Sequence, residues 1–361
     1  MSAPEPPASG RDDGLPVMRA VLFRRHGGPE VLEEADVPTP VPGPGEALIR
    51  VKACSINHLD LWIREGIPAY RIALPHISGC DVAGLVERLG PGASNVQVGD
   101  AVVVAPGLSC FQCEWCHAGD DNLCDAYGIF GAKTDGGYAE YAKARAADLL
   151  PMPQGLSFEE AAAYPLVFLT AWHMLMTRAA LKAGETVLVH AAGSGVGHAA
   201  IQIAKHVGAT VFTTVGSDAK IPKAEALGAD AVINYQREDF VARIQELTQR
   251  RGVSVIFEHI GPQTWEGSLR LLKKGGRLVT CGATSGPSVP LDLRYVFSRQ
   301  LSLLGSMMGT RRELLTVTQL MAERRLKPVI DTVYPLREAR QAQERMLARE
   351  VFGKLILTPA S

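Results

Sequence analysis

This chain has almost no excess of charge of either sign. Its 361 residues hold 37 Lys and Arg against 38 Asp and Glu, which leaves no electrostatic case for nucleic acid or an anionic membrane as partner. No stretch approaches eighteen uninterrupted apolar residues, so a membrane-spanning helix is excluded. The first seventeen residues, MSAPEPPASGRDDGLPV, contain four prolines and two glycines and little that can pack. They lack the basic start and apolar middle of a signal peptide and are expected to form a disordered tail. Outside one cluster, cysteines stand alone at Cys54, Cys80 and Cys281. A reducing cytoplasm is the expected setting. The length suits two domains with ample core.

What is present is concentrated. Cys110, Cys113, Cys116 and Cys124 fall within fifteen residues with the spacing C-x2-C-x2-C-x7-C. Four thiolates on so short a chain can close a tetrahedron with no vacant position, so one structural Zn²⁺ bracing a loop over 107–125 is expected. The usual ferredoxin run ends in Cys-Pro, whereas Asp125 follows the last cysteine here.

From Met18 to about Leu150 the texture is strand-like. Short runs (Ala20–Phe23, Ala47–Val51, Val82–Leu89, Ala101–Val104, Tyr138–Tyr141) are separated by Gly and Pro clusters, as in a small irregular β-barrel. Ser157 with Glu160 predicts a capped helix start. From Thr186 onward strands and helices alternate: VLVH, a helix over 195–207, TVFTTV, a helix over Ala219–Leu227, AVINY, a helix over Asp239–Gln249, VSVIFEHI, a helix around Trp265–Leu272, and RLVTCG. That alternation predicts an α/β, doubly wound parallel sheet. The closing KLILTP reads as a strand that returns to the first domain.

The strand at Val187–His190 runs into Ala191-Ala192-Gly193-Ser194-Gly195-Val196-Gly197 and then a helix. Small residues there let the backbone approach a pyrophosphate, whose charge the free amides of the helix start can meet. At the end of the next strand stand Val215-Gly216-Ser217-Asp218. Gly216 occupies the position where an acid would bind an adenosine ribose, Ser217 can donate to a phosphate, and Lys220 and Lys223 follow. This favours NADPH over NADH. Asp218 dissents, and its neighbours suggest a helix cap.

On GDAVVV at 99–104, the cysteine lobe, GGYAEY at 136–141, AGSGVG at 192–197 and CGATSG at 281–286, the chain resembles the medium-chain dehydrogenase/reductase superfamily. The resemblance implies a GroES-like β-barrel domain (18–167 and 308–361) carrying the substrate site and a Rossmann domain (168–307) carrying the cofactor, with the active site between them. It adds Cys281, Gly282, Ala283, Gly305 and Ser306 to the expected cofactor contacts. Zinc alcohol dehydrogenases of the superfamily hold a second, catalytic zinc through a Cys, a His and a further Cys. The matching positions here are Asn57, Cys80 and, just before the helix carrying Thr170, Leu166; Asp81 stands where those enzymes keep a Glu. Asn is a poor zinc ligand and Leu is none. His58, beside Asn57 on a turn, is expected to face away.

The segment Asn57-His58-Leu59-Asp60-Leu61-Trp62, with Phe257-Glu258-His259-Ile260-Gly261, is similar instead to the quinone oxidoreductase and enoyl reductase branch, some members of which reduce acryloyl-CoA-type thioesters. Hydride addition to a double bond conjugated to a carbonyl leaves an enolate, a weaker base than an alkoxide, for which hydrogen-bond donors suffice. The expected reaction is therefore NADPH-dependent reduction of a quinone, enone or enoyl thioester without a catalytic metal. Asn57 would donate to the substrate oxygen and Thr170 would bond the nicotinamide carboxamide or ribose. Trp62 and Cys80 would line the pocket, and Asp60 would fix the loop from behind. An alcohol or aldehyde dehydrogenase with an atypical metal site, and a catalytically silent NADPH-binding protein, are the alternatives. The apolar segment Leu301–Met307 suggests an edge strand pairing in a homodimer, with a tetramer open.

Overall fold

The computed structural model describes residues 16–67 and 71–359. Residues 1–15 of the expected tail lie outside the described residues. Val17, assigned to that tail, instead opens the strand Val17–Leu22, in which Met18, Ala20 and Leu22 are buried. It pairs antiparallel with Glu33–Pro38.

A seven-stranded sheet makes the barrel-like half. Its order is Ile330–Pro335, Lys354–Thr358, Glu46–Ser55, Asp81–Leu89, Ala101–Val104 and Leu149–Pro151, with Tyr141–Arg145 also paired to Glu46–Ser55. The expected strand Tyr138–Tyr141 is displaced to Tyr141–Arg145. The preceding residues follow a different backbone: Gly137 N–H donates to Gly79 O at 3.0 Å and Tyr138 N–H to Ser78 O at 2.9 Å. The glycine pair permits that close passage, and regular pairing begins only beyond it.

The second sheet is parallel and six-stranded. It runs Ala231–Asn234, Thr210–Val215, Thr186–Val189, Val253–Glu258, Leu272–Thr280, Ser302–Gly305. Counted from Thr186–Val189, this is the order 3-2-1-4-5-6 of a doubly wound dinucleotide-binding sheet, with its switch point beside the first strand. Every residue of Val253–Glu258 is buried, as a strand covered by helices on both faces requires. Ser157 and Glu160 close the expected capping box on Phe158–Ala162. The helix expected over Ala219–Leu227 starts with a 3₁₀ turn, Asp218–Lys220, and becomes α-helical over Ile221–Ala226, because Pro222 suits a first turn and no later one.

The last strand, Lys354–Thr358, returns to the first half, with Ile356 opposite Ser55 and Leu357 opposite Cys54. One apolar core runs from Met18 to Leu357 and joins the barrel to one face of the parallel sheet; Leu188, Phe212, Ile256 and Leu278 form a separate cluster on the other face. The antiparallel register carries Lys354 to the level of Asn57. That placement builds the site.

Candidate active site

A cleft of 580 Å³ lies between the two halves. One wall is the helix His58–Glu65 with Asn57 at its start. The other is the loop Gly193–Val196 with the ends of the strands Thr210–Val215 and Val253–Glu258.

Of the expected cofactor residues, Gly193, Ser194, Gly195, Val196, Gly216, Lys220, Cys281 and Gly282 line the cleft. Ala192, Gly197, Ser217, Ala283, Gly305 and Ser306 do not. Gly197 lies under the loop, where a Cβ would stand 2.2 Å from Ala191 O. Ser194 Oγ accepts from Gly197 N–H at 2.9 Å and caps the helix Gly195–Val207, leaving the neighbouring amides at its N-terminus for an anion. Among the described residues the buried Ser306 Oγ has no hydrogen-bond partner; the following Met307 and Met308 do line the cleft.

Tyr235 closes over Gly216, and any side chain at 216 would meet its hydroxyl at 2.6 Å. Lys220 Nζ donates to Arg349 O at 2.8 Å, and Arg349 also lines the cleft. Asp218 is no helix cap. Its carboxylate accepts from Asn234 Nδ2 at 2.7 Å and pairs with Arg237, so this acid is engaged with the adjacent strand end. Sequence reasoning passed over Tyr235 and Arg349 because each lies far from the glycine loop in sequence.

Thr170 lines the cleft, but its hydroxyl donates to Leu166 O at 2.7 Å, one helical turn back. Its oxygen is therefore an acceptor toward any ligand, suited to the N–H₂ of a carboxamide. Leu166 lies on the helix Pro165–Trp172 itself, not before it. His58 was expected to face away, yet it is exposed along the cleft, with its ring 6.1 Å from that of Trp62, which also lines it. Starting the helix at His58 turns both rings to the same side, four residues apart.

Cys80 does not line the cleft. It is fully buried, and its thiol donates to Asp60 Oδ1 at 3.6 Å. Burial, with Asp60 and Asp81 nearby, pushes that thiol well above the ordinary cysteine range. Asp60 sits behind the helix start as expected, also away from the cleft. Its Oδ2 accepts from Asn57 N–H at 2.8 Å and Tyr138 Oη at 3.0 Å, and its Oδ1 from Gly79 N–H at 3.2 Å.

Asn57 is 4% exposed and held on both sides. Its Nδ2 donates to Asp81 Oδ2 at 2.9 Å; its Oδ1 accepts from Lys354 Nζ at 2.6 Å. Lys354 was read only as the start of a terminal strand, and its single sequence signal is a cation leading an apolar run. Asp81 also accepts from Ser55 Oγ at 3.0 Å and Leu166 N–H at 2.9 Å. The positions matching the superfamily's catalytic zinc ligands present an amide, an engaged buried thiol and a leucine, with the Lys354 ammonium on the amide oxygen. That donor set does not fit a zinc ion.

The four lobe cysteines converge as well. Their sulfurs lie within 4.8 Å of one another, with Cys113–Cys116 at 3.5 Å and Cys110–Cys116 at 3.9 Å. Tetrahedral Zn–S bonds of about 2.3 Å require sulfurs about 3.8 Å apart, so the set fits a closed metal site. The lobe reaches the cleft through its neighbours: Asp121 Oδ1 accepts from Arg311 N–H at 3.0 Å, and Asn122 Nδ2 donates to Met307 O at 3.5 Å.

Comparison with known proteins agrees with this architecture. Residues 43–154 match the alcohol dehydrogenase GroES-like domain and residues 195–323 the zinc-binding dehydrogenase family. The quinone oxidoreductase of Rattus norvegicus is 33% identical over 352 residues, 95% of this chain and 98% of its own. The crotonyl-CoA reductase of Streptomyces collinus is 35% identical over 365 residues, covering 90% and 81%. A crystal structure of an NAD-dependent alcohol dehydrogenase superposes with a TM-score of 0.91 at 46% identity, over 95% of this chain and 100% of that one. The chain belongs to the medium-chain dehydrogenase/reductase superfamily, with a GroES-like barrel and a Rossmann sheet. It is an oxidoreductase that binds a pyridine nucleotide. Among the described residues, no helix is long and apolar enough to cross a membrane.

Burial raises the Asp60 carboxyl from 3.8 to about 6, against the donors that favour its ionised form. Between those values the folded chain holds a proton that the unfolded chain has lost. Stability from this group therefore falls as pH rises through the window. Urea midpoints measured from pH 4 to pH 7 should show that decline in the wild type and lose it in Asp60→Asn.

Proposed function

We propose that this enzyme uses NADPH to reduce a quinone or an enone at a centre that works without a metal ion. The observation that carries the reading is that Asn57, Cys80 and Leu166 stand where metal-dependent relatives hold ligands, with the Asn57 amide hydrogen-bonded to Lys354 and Asp81. Thr170, Cys281 and Gly282 would hold the nicotinamide, which would supply the hydride when bound. Asn57 keeps one Nδ2–H beyond the bond to Asp81, and this donor can stabilise the oxygen on which charge develops. An enolate needs no stronger acid than that. Gly216 and the half-buried Lys220, with Asp218 turned aside, support a 2′-phosphate at that end of the cleft.

Acceptor class follows from where the cations lie. Among the described lining residues, Lys220 Nζ is held by Arg349 O, Lys354 is committed to Asn57, and the Arg349 side chain is exposed to solvent. The lining residues Leu59, Leu61, Trp62, Ile129 and Met308 are apolar, and Glu65 beside them is acidic. This favours a neutral acceptor over a polyanionic CoA thioester, although a crotonyl-CoA reductase is among the relatives. With NADPH, 1,4-benzoquinone or cyclohexenone should give a kcat/KM at least tenfold above crotonyl-CoA. Asn57→Ala should lower it about tenfold or more, roughly 1.4 kcal/mol of barrier, with the NADPH Kd unchanged. Turnover of a simple alcohol that exceeds all of these would favour the alcohol dehydrogenase reading instead.

The lobe is read as the seat of one structural Zn²⁺. Metal analysis of the purified chain should find one zinc per chain, not two, and Cys113→Ser should abolish it while lowering the melting temperature. Self-association is read at the strand Ser302–Gly305, which ends the parallel sheet with its outer edge unpaired among the described residues. Light scattering should return twice the chain mass, and a proline at Leu303 should reduce it to the monomer.

A further inference from the structure

Lys354 is 2% exposed and stands at the floor of the cleft. Its backbone belongs to the last strand of the chain, yet its side chain reaches the start of the substrate helix. On the way it passes the nucleotide loop, where a Cβ on Gly195 would lie 3.3 Å from Lys354 Cδ. The ammonium donates to Ile56 O at 2.9 Å and Asn57 Oδ1 at 2.6 Å, while the nearest carboxylate oxygen, Asp81 Oδ2, is 3.6 Å away. The shorter contacts go to the amide and the peptide, not to the acid. Neutralising Asp81 is therefore not the whole of its role.

The Asn57 amide has three polar valences that matter. Its oxygen is filled by Lys354 and one Nδ2–H by Asp81. Flipping it would set N–H₂ against the ammonium and the carbonyl oxygen against the carboxylate, so only one orientation survives. In that orientation the second Nδ2–H is the polar valence left for a ligand. An ammonium on the amide oxygen withdraws electron density from the nitrogen and strengthens the N–H donor, as hydrogen bonds in series do.

We infer that Lys354 is the positioning residue of this centre: its ammonium fixes and polarises the Asn57 amide so that one Nδ2–H meets the acceptor oxygen, taking over the electrostatic part that a metal ion plays in the zinc-dependent branch. This rests on the proposed reduction of conjugated acceptors. Burial lowers the proton affinity of the ammonium, while Asp81 and Asp60 hold it up.

The test compares the wild type with Lys354→Met, Lys354→Arg and the double variant Lys354→Met/Asp81→Asn. Each is assayed with benzoquinone and with the less activated cyclohexenone, alongside NADPH affinity by nucleotide fluorescence. Lys354→Met should lower kcat on cyclohexenone at least thirtyfold and on benzoquinone several times less, because the weaker acceptor leans harder on the donor. NADPH Kd should stay within twofold, and Lys354→Arg should recover most of the rate. The double variant removes both charges together and should fold yet remain slow; it carries the test if the stranded Asp81 unfolds the single variant. Equal losses on both acceptors, or a double variant restored to wild-type rate, would reduce Lys354 to a structural counter-charge and overturn the inference. So would a tenfold loss of NADPH affinity with kcat intact, which would make Lys354 a cofactor contact. A wild type active on both acceptors and indifferent to Lys354→Met sinks the inference alone. A wild type inactive on both sinks the proposed reaction with it.

Discussion

The buried contact between Lys354, Asn57 and Asp81 is the constraint on which the rest of the molecule depends. An ammonium and a carboxylate taken out of water cost several kcal/mol each unless paired and hydrogen-bonded, and removing one partner strands the other. Both groups are satisfied only when the last strand lies against Glu46–Ser55 in its observed register. A one-residue slip would turn Lys354 to the opposite face of the sheet. The chain's C-terminal strand is thereby tied to its N-terminal half, and the cleft acquires a polar floor.

Above that floor the two sheets divide the chemistry. The parallel sheet brings a glycine loop and a helix N-terminus to its switch point, where backbone amides can meet phosphate without desolvating a side chain. The barrel side supplies an apolar wall and a short helix whose start is locked by Asp60 from behind and by Asp81 and Lys354 from beside. The cysteine lobe stands off this cleft, but Asp121 and Asn122 touch the segment that carries Met307 and Arg311. Glu313 extends that junction, accepting from His173 Nδ1 at 2.9 Å and from Thr177. A metal bracing the lobe would thus stiffen one rim of the substrate side while staying remote from the reacting atoms.

Much of this was legible in advance because it is encoded locally. Alternating β-branched runs and glycine punctuation marked the strands, and the nucleotide-loop helix occupies the span 195–207 expected of it. Ser157 and Glu160 announced a helix start through a contact only three residues long. The misplacements came where distant backbone intervened: Gly79 and Ser78 draw Gly137 and Tyr138 out of the expected strand, and a 3₁₀ turn delays the helix after Ser217. The site residues follow the same division. Motif positions such as Gly193 and Gly216 face the cleft, whereas Cys80 is turned behind it and Ser306 lies beneath its rim.

The sequence alone determined the two-part architecture, the thiolate cluster and the loss of zinc ligands at Asn57 and Leu166, because each is a matter of residue type at fixed local spacing. Only the tertiary structure decided that Lys354 completes the centre, that Tyr235 closes over Gly216 and that Asp218 faces elsewhere. Those relations join residues from 16 to 297 positions apart. Strand register and buried-charge pairing set them, and neither leaves a local pattern in the chain.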